Sequence, residues 1–389
     1  MKIALCYESV LPSRGGCEIY IADLARKLAA DGHAVHLYAS RWDENGLPAG
    51  LHYHYLPKPR GPRFLRPWRF AASCERALRA SAYDVSLGFN KTWGQDVLYP
   101  QAGIHMAATE HNLLKYAPRW RRQLARVIKS LDMAYRSYSL LERKQYLGQS
   151  RPYIVVNSRM VRGHFERYYG IPAREIRVVH SAIDPDRFQE DDRPGRRLEF
   201  REKFGIRPDQ VVGLFIAMNY RLKGLEPLLH SLHRIPDGKS FRLLVVGNTE
   251  THRYEGLVRR LGVADRVCFA GYHSDTRNCF FASDFLVHPT FYDPCSLVVL
   301  EALACGLPVI TSRFNGASEL LSPPHDGYVV ADPHDDEHLG WCITQLLDPV
   351  RRVACSQSIR RKAGQWTFDH HYRLLMDVLR EAATRRIAA

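Results

Sequence analysis

Two carboxylates eight residues apart, Asp293 and Glu301, bracket the stretch FYDPCSLVVLEALACGLPVI, Phe291 to Ile310. Locally it reads as loop, helix, strand. Asp293 followed by Pro294 offers an N-cap with proline at the first helical position, and Ser296 is a rival cap slightly later. Gly306 stops the helix, and Leu307 to Thr311 reads as a buried strand. Leu297, Val298, Val299, Leu300, Ala302 and Leu303 leave the helix no polar face, so it is expected to be buried all round. Glu301 in its middle then needs a partner, either a nearby Arg or Lys or a ligand hydroxyl. Eight residues span ~12 Å of helix, less where the first are loop. Between the acids lie the unpaired first amides of the helix, around Ser296, Leu297 and Val298. Acid, amides, acid suits hydroxyl, phosphate, hydroxyl; the structural alternative is an N-cap aspartate and an ion-paired glutamate.

Two more stretches carry matching chemistry. Arg221 and Lys223 lie in NYRLKG, directly after the apolar run Val211 to Ala217. At the carboxyl end of a strand a Lys supplies a point charge to phosphate and an Arg a two-pronged contact. Gly15 and Gly16 end the loop ESVLPSRGG between the strand Lys2 to Tyr7 and the helix Glu18 to Ala30. Strand, glycine pair, helix brings backbone amides against phosphate. The run is not G-x-G-x-x-G, which disfavours a nicotinamide cofactor.

These residues need a scaffold, and 389 residues predict two domains of roughly 190 each. The 46% hydrophobic and 25% charged content is that of an ordinary globular chain. Nine cysteines with no C-x-x-C pair suit free thiols in a reducing compartment, and no apolar run approaches a membrane span, so a soluble cytoplasmic protein is expected. Strands at Val35 to Tyr38, Leu51 to Leu56, Tyr83 to Phe89 and Tyr153 to Val156 alternate with helices. After a linker-like Gln189 to Arg197 the alternation resumes: strands Val211 to Ala217, Phe241 to Val246, Arg266 to Ala270 and Phe285 to His288, helices Gly224 to Arg234, Tyr254 to Leu261 and about Asn278 to Ala282. Such alternation predicts doubly wound parallel sheets. A last helix is expected at about Trp366 to Thr384.

The charge is uneven: residues 1–190 carry a net +12 and the remainder +2. Arg60, Arg63, Arg66 and Arg69 recur every third residue among Phe64 and Trp68. The run Lys115 to Lys129 holds Arg119, Arg121 and Arg122 beside Trp120. Most charge runs are solvated faces, but basic residues mixed with aromatics suit an anionic membrane surface or an acidic acceptor.

An acid, seven residues, Glu-Ala and a Gly-x-Pro turn (Asp293, Glu301, Ala302, Gly306 to Pro308) resemble the signature of family-four retaining glycosyltransferases, where the first acid is usually Glu. The Gly15–Gly16 pair before the first helix, Gly32-His33 before a strand, and Lys223-Gly224 after the first strand of the second half match in the same order. Gly271 to His273, Ala282-Ser283-Asp284 and His288-Pro289 extend the match, which runs over nearly the whole chain. The usual arginine position holds Ala217, with Arg221 as its candidate replacement. The resemblance implies an α/β fold of two facing Rossmann-like domains (GT-B) with the active site in the interdomain cleft. The acceptor domain would be 1–188 and the nucleotide-sugar domain 189–370, with 371–389 a helix packing back on the first. Asp184-Pro185-Asp186, a D-x-D match, then reads as the turn closing the first domain rather than a metal site.

Within the family, Gly88-Phe89-Asn90-Lys91 with Gly94 and Asp96-Val97 resembles the members that build lipopolysaccharide core. The implied reaction moves a hexose from a nucleotide-diphosphate sugar, UDP-glucose favoured, to an anionic glycolipid at the inner face of a membrane. Lys223 and Arg221 would meet the departing diphosphate, Gly15 and Gly16 the phosphates, Glu301 the ribose, Asp293 a hexose hydroxyl, and His105 the sugar. Arg63, Arg66, Arg119, Arg121 and Arg122 would face acceptor or membrane. No metal or other cofactor is implied, and no nucleic acid. The rivals are a nucleotide-sugar epimerase of the same architecture, which needs no basic acceptor face, a basic nucleic-acid-binding protein, for which no binding module is present, and a non-catalytic sugar-binding relic, which would not need Lys223, Asp293 and Glu301 together.

Overall fold

A computed structural model describes residues 1–12, 15–148, 151–189, 191–236 and 240–388. The chain divides into two compact units. Met1–Leu113, Pro118–His180 and His371–Ala389 form one; Leu114–Ala117 and Ser181–His370 form the other. The first unit's main run thus ends at His180, where the sequence reading put the boundary at 188, and Leu114–Ala117 groups with the second unit.

The first unit is built on a seven-stranded parallel sheet: β1 (Lys2–Cys6), β2 (Ala34–Ala39), β3 (His52–Tyr55), β4 (Val85–Phe89), β5 (Val97–Tyr99), β6 (Tyr153–Val156) and β7 (Ile176–Val178), in the order β3-β2-β1-β4-β5-β6-β7. The sheet grows outward from β1 in both directions, the doubly wound arrangement that collects loops at the carboxyl ends of its strands. Its central strands are buried on both faces, which is why they read as unbroken apolar runs.

The second unit repeats the scheme with six parallel strands: β8 (Val211–Ala217), β9 (Phe241–Gly247), β10 (Val267–Gly271), β11 (Phe285–His288), β12 (Val309–Ser312) and β13 (Gly327–Val330), in the order β10-β9-β8-β11-β12-β13. One core layer gathers Val212, Leu214, Phe280, Leu286, Val299 and Leu300. The other, across the sheet, gathers Phe215, Leu228, Leu243, Phe285 and Ile343.

One expectation is corrected and two features are added. The segment around Gln189 to Arg197 is not all linker, because Arg193–Lys203 is a helix capped by Asp192 with proline in its first turn. Its arginines mask the pattern by bonding inward: Arg201 is buried and, with Arg197, holds the Asp284 carboxylate at 2.8 and 2.7 Å. β5 and β13, only three and four residues long, are additional strands that the sequence reading did not propose. The run Lys115 to Lys129 becomes the helix Arg119–Leu131, with no buried residue. Its Trp120, Leu124, Val127, Ile128 and Leu131 are all exposed and share one stripe by their spacing.

Candidate functional site

The turn after β8 and the loop after β11 meet at the carboxyl end of the second sheet. The amide of Phe291 donates to Leu222 O at 2.9 Å, and Thr290 Oγ1 to the same carbonyl at 3.3 Å. Gly224 makes that approach possible. Its φ is +83°, and a Cβ there would stand 2.1 Å from Pro289 O, so no other residue fits. The Lys-Gly step is therefore a joint between two loops. It delivers the Lys223 ammonium to Asp293, Nζ to Oδ2 2.6 Å, and to Tyr292 O at 3.2 Å.

Asp293 does not cap the helix. The helix runs Leu297–Ala304 with Ser296 at its N-cap, so of the two rival caps the later one holds. Asp293 is instead fixed by its backbone: its amide donates to Phe314 O at 2.9 Å, and its carbonyl accepts from Gly316 at 2.8 Å. Asn315, which sequence reasoning missed, ties the same loops together. Its Oδ1 accepts from Ser296 at 3.2 Å and Ala317 at 3.1 Å, and its Nδ2 donates to Thr311 Oγ1 at 3.0 Å. The amides of Leu297, Val298 and Val299 follow, where an α-helix offers donors without internal acceptors.

The helix is not buried all round. Val299, Leu300, Ala302 and Leu303 are enclosed, but Leu297, Val298 and Glu301 are only partly covered. Their spacing places these three side chains on one face, so the side that opens carries the carboxylate, and the helix's first amides point out of its N-terminal end. Burial pushes the Glu301 carboxyl up to about 7, and the charge of Arg187 opposes the rise. Among the described residues no ion pair to Glu301 is formed, and Arg187 is the cation whose charge reaches it.

His288 was visible only as part of a motif. It is wholly buried at the end of β11, its Nε2 4.0 Å from Asp293 Oδ2, and neither ring nitrogen has a hydrogen-bond partner among the described residues. Burial, reinforced by Lys223, lowers its pKa to about 3, so it stays neutral. Arg221 lays its guanidinium 4.4 Å over the Tyr116 ring. Tyr116 is held in this unit by Leu114, whose carbonyl contacts His334 Nε2 at 2.8 Å. No sequence signal links residues 114–117 to a turn a hundred residues later.

The remaining expected residues lie in the first unit. Gly15 precedes, and Gly16 opens, the helix Gly16–Ala30; Ser13 and Arg14 of that loop lie outside the described residues. His105 begins the helix His105–Leu114, and its amide donates to Glu142 Oε1 at 2.5 Å. Burial, helped by Lys91 and Lys129, lowers the His105 pKa to about 4, and burial raises Glu142 to about 7. Arg63 and Arg66 flank the start of the helix Arg66–Arg79, while Arg119, Arg121 and Arg122 sit on the exposed helix Arg119–Leu131. Asp184 and Asp186 do not converge on a common point: Asp184 Oδ1 accepts from the Asp186 amide, and Asp186 Oδ1 from Gln189 Nε2.

The Glycosyltransferase Family 4 profile matches residues 14–187, and that of Glycosyl transferases group 1 matches 196–362. The chain is 27% identical to the lipopolysaccharide glucosyltransferase WaaG of Escherichia coli, over 93% of this chain and 94% of that protein. It is 28% identical to a D-inositol 3-phosphate glycosyltransferase of Acidothermus cellulolyticus, covering 96% and 88%. Among solved structures, WaaG superposes with a TM-score of 0.78 at 24% identity over 97% of this chain and 98% of that one. Anabaena HepE in complex with UDP and glucose gives 0.71 at 18% identity, over 98% and 100%. The fold is therefore the two-domain GT-B fold, and the chain belongs to the glycosyltransferases, its first half a family-four domain and its second a group 1 domain.

Proposed function

We propose that this enzyme is a retaining hexosyltransferase. It takes its sugar from a nucleotide diphosphate, with UDP-glucose the favoured donor, and passes it to an anionic, membrane-associated glycan such as lipopolysaccharide core. The carrying observation is the Lys223–Asp293 pair at the entrance to a helix whose partly open face carries Glu301, its carboxyl raised by burial and without an ion-pair partner among the described residues. A diphosphate leaving group gains negative charge as its bond to the sugar breaks, and fixed cations and amides stabilise that charge best. Lys223, Arg221 and the Leu297 and Val298 amides meet it, Glu301 holds the ribose, and Asp293 a hexose hydroxyl. From the first unit, Gly15 and Gly16 close on the phosphates and His105 meets the sugar. With cations in place, no metal is required.

The names of the relatives support donor and acceptor class: a lipopolysaccharide glucosyltransferase by sequence, and a UDP and glucose complex by fold. The helix Arg119–Leu131, with cations beside an exposed apolar stripe, suits an anionic bilayer surface. Among the described residues no helix is long and apolar enough to cross a membrane. Incubation of the pure protein with UDP-glucose, UDP-N-acetylglucosamine and GDP-mannose, following slow hydrolysis, tests the donor. UDP-glucose should be consumed fastest; preference for GDP-mannose would overturn the assignment.

A further inference from the structure

A groove of about 900 Å³ opens in the first unit at the carboxyl end of the edge strand β3. It is lined by Tyr55, the loop Pro57–Gly61 and the helix Arg66–Arg79, the last through Arg66, Arg69, Ala72, Ser73 and Arg76. Five cations line it, Lys58, Arg60, Arg66, Arg69 and Arg76, and no acid does. The single carboxylate of that helix, Glu75, is engaged elsewhere, by Arg79 at 2.9 Å and Trp93 Nε1 at 2.7 Å.

The arginines are tethered by neutral groups. Arg66 Nε donates to Gly61 O at 2.9 Å, Arg69 Nη1 donates to Arg60 O, and Arg76 Nε reaches Ala72 O at 3.3 Å. A carboxylate partner would fix these side chains and cancel their charge; a carbonyl fixes them and leaves the charge in place. Among the described residues none of the five is within ion-pair distance of an acid. Crowded like charges oppose folding, and each guanidinium keeps further N–H donors for a ligand. Gly61 belongs to the design: its φ is +98°, and a Cβ there would stand 2.7 Å from Arg69 Nη1.

We propose that this groove binds the phosphate groups of a phosphorylated glycan. Its volume is that of a small-molecule site, its donors are planar forks matched to phosphate, and its position at the strand carboxyl ends is where such sheets take ligands. The inference deepens the reading above, on which it rests for calling the ligand an acceptor, yet the site is separate from the nucleotide residues.

The test titrates glucose 1,6-bisphosphate and, separately, UDP into wild type and the variants Arg69→Ala/Arg76→Ala and Gly61→Ala by calorimetry. The double variant should bind the bisphosphate on the order of 10- to 100-fold more weakly and UDP unchanged. Gly61→Ala, which keeps every charge but displaces Arg69, should lose affinity in the same direction. Retained UDP affinity shows that each variant is folded. Equal bisphosphate affinity in wild type and the double variant overturns the proposal. So does a groove that ignores the bisphosphate while its double variant alone loses pelleting with phosphatidylglycerol vesicles, since the phosphate would then be a lipid headgroup. If wild type binds the bisphosphate through the groove but binds no UDP, the glycosyl-donor reading fails and the groove stands.

Discussion

Replacing Glu301 by glutamine should make the protein more stable at pH 8 and leave its stability at pH 4 unchanged. The unfolded carboxyl titrates near 4.5 and the folded one near 7, so the native state holds the proton more tightly. Below 4.5 both states are protonated and the acid is harmless. Between 4.5 and 7 the unfolded state ionises while the native state still holds its proton, so stability falls across that window and levels off above 7. The gap corresponds to about 3 kcal/mol, and partial exposure of Glu301 trims it to on the order of 2 kcal/mol. Glutamine has the shape of the protonated acid and never ionises. Urea unfolding of both proteins between pH 4 and pH 8 should therefore show a difference in midpoint that opens with pH in favour of the variant. The same variant should bind UDP on the order of tenfold more weakly, because a charged acceptor for the ribose is gone. A difference that stays flat with pH would refute the burial argument, and unchanged UDP affinity would refute the ribose role.

Three further outcomes are expected. Lys223→Ala should lower kcat on the order of 100-fold with a smaller change in UDP-glucose affinity, read from steady-state kinetics, and a chelator should leave wild-type turnover intact. Weaker UDP-glucose affinity with kcat unchanged would place the lysine in ground-state binding alone. Gly224→Ala should destabilise by at least about 2 kcal/mol, since it meets both a left-handed φ and a carbonyl 2.1 Å away, and thermal unfolding measures this. Arg119→Glu/Arg121→Glu/Arg122→Glu should abolish pelleting with anionic vesicles while donor hydrolysis persists, and a triple variant that pellets like wild type would rule that helix out as the docking surface.

Both parallel sheets were legible because enclosed strands must be apolar throughout, and Tyr153 to Val156, Val211 to Ala217 and Phe285 to His288 appear where their sequence puts them. The Lys-Gly step and the acid–helix–acid stretch were legible for the same local reason. What escaped was non-local. Gln189 to Arg197 reads as linker until Asp284 is brought to the arginines of the helix that starts inside it. Asn315 earns no notice until its side chain is seen joining two loops. The open face of the central helix follows from what fails to pack on it, which apolar spacing alone does not reveal. Arg187 and Tyr116, which attend Glu301 and Arg221, come from segments that only the tertiary fold brings near.

The first unit is interrupted in the chain. Its final piece begins at His371, which is buried there with Nε2 2.7 Å from the Tyr20 hydroxyl and Nδ1 2.7 Å from His180 O. Between His180 and His371 the ribosome makes all of the second sheet's main segment. A nascent chain therefore exposes an unfinished N-terminal core for the roughly 200 residues that follow, on the order of 10 to 40 s at ordinary rates of synthesis. The unit made first is completed last. A release of the chain before residue 371 would leave the Tyr20 hydroxyl and the His180 carbonyl without these partners, and that truncated species is the one chaperones and proteases should recognise.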